Sequence, residues 1–351
     1  MELGLIYRTA FFSLVLLPFL IKFIFKGFSI NNKIGLIFIL LALLLEISFR
    51  QLGGTDYNNY KSLWIHIAGS PDLWRERDYF EIGFLFYMRL LVIISESIYF
   101  YQFVTFLIPA VIFYKISRNL RLEQSIFAIV LYSSFIAPYF LNAIGQGLAI
   151  TFFLLMFMIL SSSRFLARLK AGFILAASFL VHKSTIFASV LLLNKKRETI
   201  ILITFIGLII FTLLFYFSLG DLILIAYRYG FSFNLEYDFE ASVSAFDIAY
   251  RLAHIGTILF FAYVVKHESN LKYAIWIYLF GFLIFLFLIP FPVVALRVSM
   301  FFRCLELIIY PLIGSSMKLT SNRALLSIVL VALYSVPFYL NWSNTLNLVL
   351  I

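Results

Sequence analysis

The chain has 351 residues, 63% of them hydrophobic and 13% charged, against roughly 25% charged in soluble domains, which excludes a soluble globular protein. A span of the hydrocarbon core takes about 20 apolar residues, so the length fits a polytopic helical membrane protein of about a dozen spans. Lysine and arginine number 27 against 17 acids, a net charge of +10; a membrane chain holds such an excess in its cytoplasmic connections, so it does not point to nucleic acid.

Taken in order, the first apolar segment covers residues 5–25. It follows an acidic start, Met1-Glu2, with no small-residue cleavage site behind it, and so reads as a retained span and not a signal peptide. Further apolar segments fall at 34–49, 79–95, 99–115, 124–141, 146–160, 171–181, 184–193, 199–217, 249–265, 273–291, 298–314 and 324–340. Lys22, Lys26 and Lys33 place the first connection in the cytoplasm, and hence the N-terminus and residues 50–78 outside.

Segment 79–95 decides everything downstream. Between Lys115 and Arg323 lie 18 cations. If 79–95 crosses fully, 13 of them fall outside; if it lies in the outer interface or dips and returns, those 13 become cytoplasmic and Lys183, Arg228, Arg251, Arg297 and Arg303 remain outward. The second arrangement is adopted: about 12 transmembrane helices in a single integral membrane domain over 1–351, both termini outside, with long outer loops at 50–78 and 218–248. The stretch 171–193, broken at His182-Lys183-Ser184 and flanked by basic clusters, reads as a short hairpin with His182 at its outward tip. The single cysteine, Cys304, permits no internal disulfide.

Charges inside a membrane are costly, so ionisable residues there are functional candidates. In the first outer loop, Arg50-Gln-Leu-Gly-Gly-Thr-Asp-Tyr-Asn-Asn-Tyr60 combines a glycine pair fit for a tight turn with Thr55 or Asp56 as the cap of a helix over Tyr57–Ala68. Asp56 and Glu81 could share a divalent cation, but Arg75, Arg77 and Arg89 crowd that region and no DxD, HExxH or paired-cysteine pattern occurs, so no metal is expected. His182 is the expected proton acceptor, because imidazole titrates near neutrality. Asp247, Arg251 and His254 share one helical face, where Asp247 could pair with Arg251. Arg297 and Arg303 lie about 9 Å apart along a helix axis, with Glu306 one turn beyond Arg303 as its expected partner. Arg297 has no acid within a helical turn and follows the Pro290-Phe-Pro292 break, which makes it the stronger functional candidate. Arginines converging on one water-facing place suit an anionic ligand such as a membrane-borne pyrophosphate.

Arg50 with GGTDYNNY, then Glu81-Ile-Gly-Phe84, Asn142-Ala-Ile-Gly-Gln-Gly-Leu-Ala149 and Val181-His-Lys-Ser184, in that order and spacing, resemble the EpsG-like family of exopolysaccharide and O-antigen polymerase proteins. The resemblance covers roughly residues 35–310. It implies a Wzy-type polymerase that joins repeat units carried on undecaprenyl pyrophosphate at the outer face of the bacterial inner membrane. It also implies a GT-C-like architecture with outer juxtamembrane helices, and a chain-length regulator and flippase of the same pathway as partners. The family pattern has Arg before the Gln of the third motif; here Gly145 stands there, and Arg251, Arg297 or Arg303 is expected to replace that contact.

The expected reaction is an inverting transfer without metal or soluble cofactor. Arg50, Arg251, Arg297 and Arg303 clamp the pyrophosphate, His182 or Asp56 takes the acceptor proton, and Tyr57, Tyr60, Glu81 and Gln146 contact substrate. A flippase or transporter is the rival from another class; it would show repeated halves and polar sites near the midplane, whereas no repeat is evident and the ionisable residues lie outward. An O-antigen ligase would use the same donor.

Overall fold

The computed structural model describes residues 57–69, 80–131, 143–160, 165–182, 243–265, 269–289 and 292–340, with isolated helical positions at 37, 40, 41, 43, 44, 134 and 135, and Thr185. Among the described residues every regular element is a helix: α1 (Tyr57–Gly69), α2 (Ile82–Ile94), α3 (Ile98–Asn119), α4 (Gln124–Val130), α5 (Ile144–Leu160), α6 (Phe165–Val181), α7 (Ala245–Val264), α8 (Ser269–Phe287), α9 (Pro292–Arg303), α10 (Glu306–Ser316) and α11 (Thr320–Leu340). By length and composition α3, α7 and residues Asn270–Phe287 of α8 can each cross a membrane. The chain is a helical membrane protein.

α2, within the segment read as interfacial, has 13 residues. That is about 20 Å of rise against a hydrocarbon core of about 30 Å, short for a full crossing. α6 begins at Phe165 and not at the expected 171, so Arg168 and Lys170 belong to the helix. Hydropathy breaks at these charges, but Lys and Arg are good helix formers whose stems lie along apolar surface. The apolar segment 298–314 is not one regular helix: Cys304 N–H still reaches the Met300 carbonyl at 3.1 Å, Leu305 N–H tightens onto the Phe302 carbonyl at 3.1 Å, and a second helix starts at Glu306. α9 starts on Pro292, where its missing N–H costs nothing. Segments 5–25 and 199–217, segment 184–193 apart from Thr185, and most of loops 50–78 and 218–248 lie outside the described residues.

The described residues fall into two compact units, drawn from Met1–Leu73, Leu85–Thr151 and Glu306–Ile351, and from Trp74–Phe84 and Phe152–Leu305. In the first, Trp64 stacks on Tyr101 at 4.9 Å between ring centroids and donates its indole N–H to the Glu96 carbonyl at 2.8 Å. The Arg89 guanidinium donates to the Ile67 carbonyl at 2.5 Å, satisfying an acceptor that the last turn of α1 leaves open. Tyr87 and Thr105 share a hydroxyl hydrogen bond of 2.9 Å. Phe113 meets Phe135 edge-on at 4.9 Å. Glu306, fully buried, accepts the Tyr334 hydroxyl at 2.5 Å.

The end of α3 is a Schellman turn, in which Leu122 N–H reaches the Ser117 carbonyl at 3.0 Å and Arg121 N–H the Arg118 carbonyl at 3.3 Å. Its left-handed position, usually glycine, is held by Arg121 at φ 52°, at a cost of about 1–2 kcal/mol. Beyond it, Glu123 N–H donates to the Pro311 carbonyl at 3.2 Å, and Gly314 of α10 abuts Glu123 and Ile126.

In the second unit, α9 packs closely on α8. Phe302 is 1% exposed, lies edge-on to Phe280 at 5.7 Å and Phe153 at 6.2 Å, and rests where Gly281 would carry a Cβ. Phe157 stacks on Tyr273 at 5.4 Å. Gly281→Ala is expected to force Phe302 aside and destabilise the protein by about 1–3 kcal/mol, read as a lower melting temperature in detergent.

Candidate functional site

α6 ends at Val181, and the chain then turns. His182 N–H still reaches the Ser178 carbonyl at 2.9 Å, as a helical residue would. Its own carbonyl accepts Thr185 N–H at 3.0 Å and the Thr185 hydroxyl at 2.6 Å. That hydroxyl also meets the Ser178 hydroxyl at 3.2 Å, and Thr185 and Ser178 are both buried. His182 therefore stands on a backbone held on both sides of its Cα.

Its ring faces Glu81, with Nδ1 at 2.8 Å from Oε1; the side chains are 18% and 22% exposed. A carboxylate only accepts, so Nδ1 carries the proton of this contact, and in the neutral form of the ring the lone pair is then on Nε2. Glu81 is placed by the start of α2, where its carbonyl accepts the Phe84 N–H at 3.0 Å. A glycine makes the approach possible: a Cβ on Gly83 would lie 2.6 Å from both the Cβ and the carbonyl oxygen of Leu180. The start of α2 thus rests directly on the backbone ending α6.

Aromatic rings seat two arginines of this unit. Phe301 of α9 lies 6.5 Å from the His182 ring. Two residues on, the Arg303 guanidinium lies over the Tyr250 ring of α7 at 5.4 Å. Next to Tyr250, Arg251 is 4% exposed, its guanidinium 3.7 Å above the Phe285 ring of α8. Cation–π contact stabilises a desolvated guanidinium by about 2 kcal/mol. A planar cation stacked on a ring turns its N–H groups outward along its edges. Tyr250 also meets the His254 ring edge-on at 4.6 Å. Arg297 and Arg303 lie on α9, both half-buried.

One expected pairing is overturned. Asp247 does not pair with Arg251: its carboxylate accepts the Ser244 N–H at 3.0 Å and hydroxyl at 2.6 Å, while Asp247 N–H donates back to Ser244 at 3.1 Å. This reciprocal capping box closes the start of α7, and Arg251 turns to Phe285 instead. Cys304 and Leu305 interrupt the helix between Arg303 and Glu306, and the Glu306 carboxylate accepts the Tyr334 hydroxyl.

The remaining candidates divide. Glu81, expected to contact substrate, is the partner of His182. In the first unit, Tyr60 accepts the Gly145 N–H at 3.4 Å, at the position where the family pattern has Arg, and Gln146 is buried in the first turn of α5. α1 does begin at Tyr57, but the Tyr57 side chain, Arg50 and Asp56 lie outside the described residues. Among the described residues no three of His, Cys, Asp and Glu gather closely enough to hold a metal ion. Sequence reasoning missed Gly83, Thr185, Tyr250, Phe285 and Phe301. Gly83 stood inside a quoted motif, whereas the aromatic seats carry no local signal, since Phe285 is 34 positions from Arg251.

The sequence model of the EpsG family matches residues 33–349, nearly the whole chain. No curated protein and no solved structure matches it.

The Gly83 contact has a measurable consequence. Gly83→Ala is expected to push α2 away from α6, lower stability by about 1–3 kcal/mol and release His182 from Glu81. Acylation of His182 by diethyl pyrocarbonate, followed by mass spectrometry, should then be faster than in the parent protein.

Proposed function

The chain belongs to the EpsG family, a polysaccharide polymerase-like membrane family, and from that premise we propose that it joins oligosaccharide repeat units carried on undecaprenyl pyrophosphate into a long polysaccharide. The observation that carries this reading is the 2.8 Å Glu81–His182 pair in the same unit as Arg251, Arg297 and Arg303, the first and last of them seated on aromatic rings. Proton acceptor and anion-binding groups are the two things such a transfer needs.

In the proposed reaction, Nε2 of His182 takes the proton of an acceptor sugar hydroxyl while Glu81 holds Nδ1–H and stabilises the imidazolium that forms. The hydroxyl oxygen bonds to the anomeric carbon of the growing chain, the bond from that carbon to pyrophosphate breaks, and the configuration inverts. Undecaprenyl pyrophosphate leaves as an anion that needs charge stabilisation more than a proton. Arg251, Arg297 and Arg303 supply it, and guanidinium forks match phosphate oxygens in pairs. Arg50, Asp56, Tyr57, Tyr60 and Gln146 are proposed substrate contacts on the family resemblance.

The same reading has about 12 spans in a GT-C-like arrangement, the site on the outer face of the bacterial inner membrane, and a flippase and chain-length regulator as partners. Glycosyl transfer in this scheme requires no metal or soluble cofactor.

Purified protein incubated with synthetic lipid-pyrophosphate repeat units, without nucleotide sugar, should yield a ladder of multiples on a gel. Intact native substrate would overturn the assignment and favour transport. His182→Ala should lower the rate by about 10²-fold or more, with Glu81→Gln lowering it less. Arg297→Ala should leave the protein inserted yet abolish long chains, and Arg297→Lys should rescue poorly because a point charge does not replace the fork. Wild-type chain lengths in Arg297→Ala would remove Arg297 from the site.

A further inference from the structure

One end of the first unit gathers cations that the proposed reaction does not use. Along α3 the exposed residues form a single stripe: Phe103, Leu107 and Val111 are apolar and at least 36% exposed. Four residues further on the stripe becomes Lys115, then Arg118, both exposed. Positions four apart lie one above another on a helix, so one face passes from apolar to cationic along its length. In a membrane helix that passage marks where hydrocarbon gives way to headgroups.

Next comes Arg121, exposed, in the left-handed position of the Schellman turn. Glycine would hold that position without strain, so the backbone gives no reason for an arginine; an observed outlier of this kind points to the side chain. The α10–α11 turn lies against the same end. The Glu123 N–H to Pro311 carbonyl bond and the seating of Gly314 on Glu123 and Ile126 bring it there, and Lys318, exposed, follows Gly314 by about one turn. Leu319 beside it is 62% exposed, so this turn too has an apolar neighbour facing outward. The Glu123 carboxylate caps α4 through the Ile126 N–H at 2.8 Å. Arg323 is turned back onto the Met317 carbonyl at 3.0 and 2.5 Å, closing that turn.

We propose that this end of the first unit binds the phosphate headgroup of an anionic phospholipid, with Arg118, Arg121 and Lys318 as its cationic contacts. The lipid is favoured over a soluble acidic partner because the cations continue apolar stripes that would face acyl chains. Arginine suits a phosphate through its paired N–H groups, and lysine as a point charge. By the charge distribution of the sequence this is the cytoplasmic leaflet, whose anionic lipids attract basic residues at the surface. The inference is independent of the glycosyl-transfer reading.

The test compares the full-length protein in nanodiscs of phosphatidylcholine alone and of phosphatidylcholine with phosphatidylglycerol, following unfolding by tryptophan fluorescence. Wild type should melt several degrees higher with phosphatidylglycerol, and the gain should shrink as salt rises. Arg121→Gly relieves the strained backbone and so keeps the fold, melting higher than wild type in phosphatidylcholine, yet it should lose about half or more of the phosphatidylglycerol gain. Arg121→Lys should retain most of it, and Lys318→Gln should reduce it. A phosphatidylglycerol gain that is absent in wild type, or undiminished in both Arg121→Gly and Lys318→Gln, would overturn the proposal. So would a gain reproduced by inorganic phosphate in phosphatidylcholine discs, since that would assign the site to free anions.

Discussion

A charged group surrounded by apolar side chains must find a partner, because burial without one costs more than a single domain's marginal stability can offset. With 63% hydrophobic residues, this chain imposes that condition on the ionisable groups it buries, such as Arg251 and Glu306. The partners differ in kind. Glu81 meets His182, Arg251 and Arg303 lie on the faces of Phe285 and Tyr250, Glu306 accepts a tyrosine hydroxyl, and Asp247 closes a helix start.

Helix ends position these groups. α6 stops at Val181, so His182 sits where the chain leaves the helix, and Thr185 holds its carbonyl. α9 begins at Pro292 and ends at Arg303, which sets Arg297 and Arg303 on a helix of 12 residues. Glu306, fully buried, starts the next helix, α10. Breaks of this sort are tolerated in membrane proteins only where protein or water satisfies the freed backbone. Non-helical backbone at these points therefore coincides with the polar chemistry.

Glycine enters the same logic at two close approaches. Gly83 lets α2 rest against the backbone of Leu180, and Gly281 receives the ring of Phe302. Small residues at helix contacts let backbones come together where hydrophobic burial alone offers little drive, as in lipid. The first contact sets the distance between a carboxylate and an imidazole 101 positions apart. The second holds α9, and with it Phe301 and Arg303, against α8.

What the sequence by itself determined was the helical membrane class, several helices and their stopping points. Apolar content, the Gly-Gly-Thr-Asp approach to a helix starting at Tyr57, the break at His182 and the Pro290–Pro292 break are all local properties, governed by hydropathy, capping and backbone geometry within a few residues. The family is legible for the same reason, since its motifs are short runs of neighbouring residues. Pairings were legible only where the partners are one helical turn apart, and there they misled: Asp247 stands four residues before Arg251, but a serine three residues before Asp247 offered a better bond. Only the tertiary structure decided that Glu81 faces His182, that aromatic rings hold Arg251 and Arg303, and that the helix ends between Arg303 and Glu306. Such contacts depend on which helix faces pack together, and no periodicity within one segment encodes the neighbour it will meet.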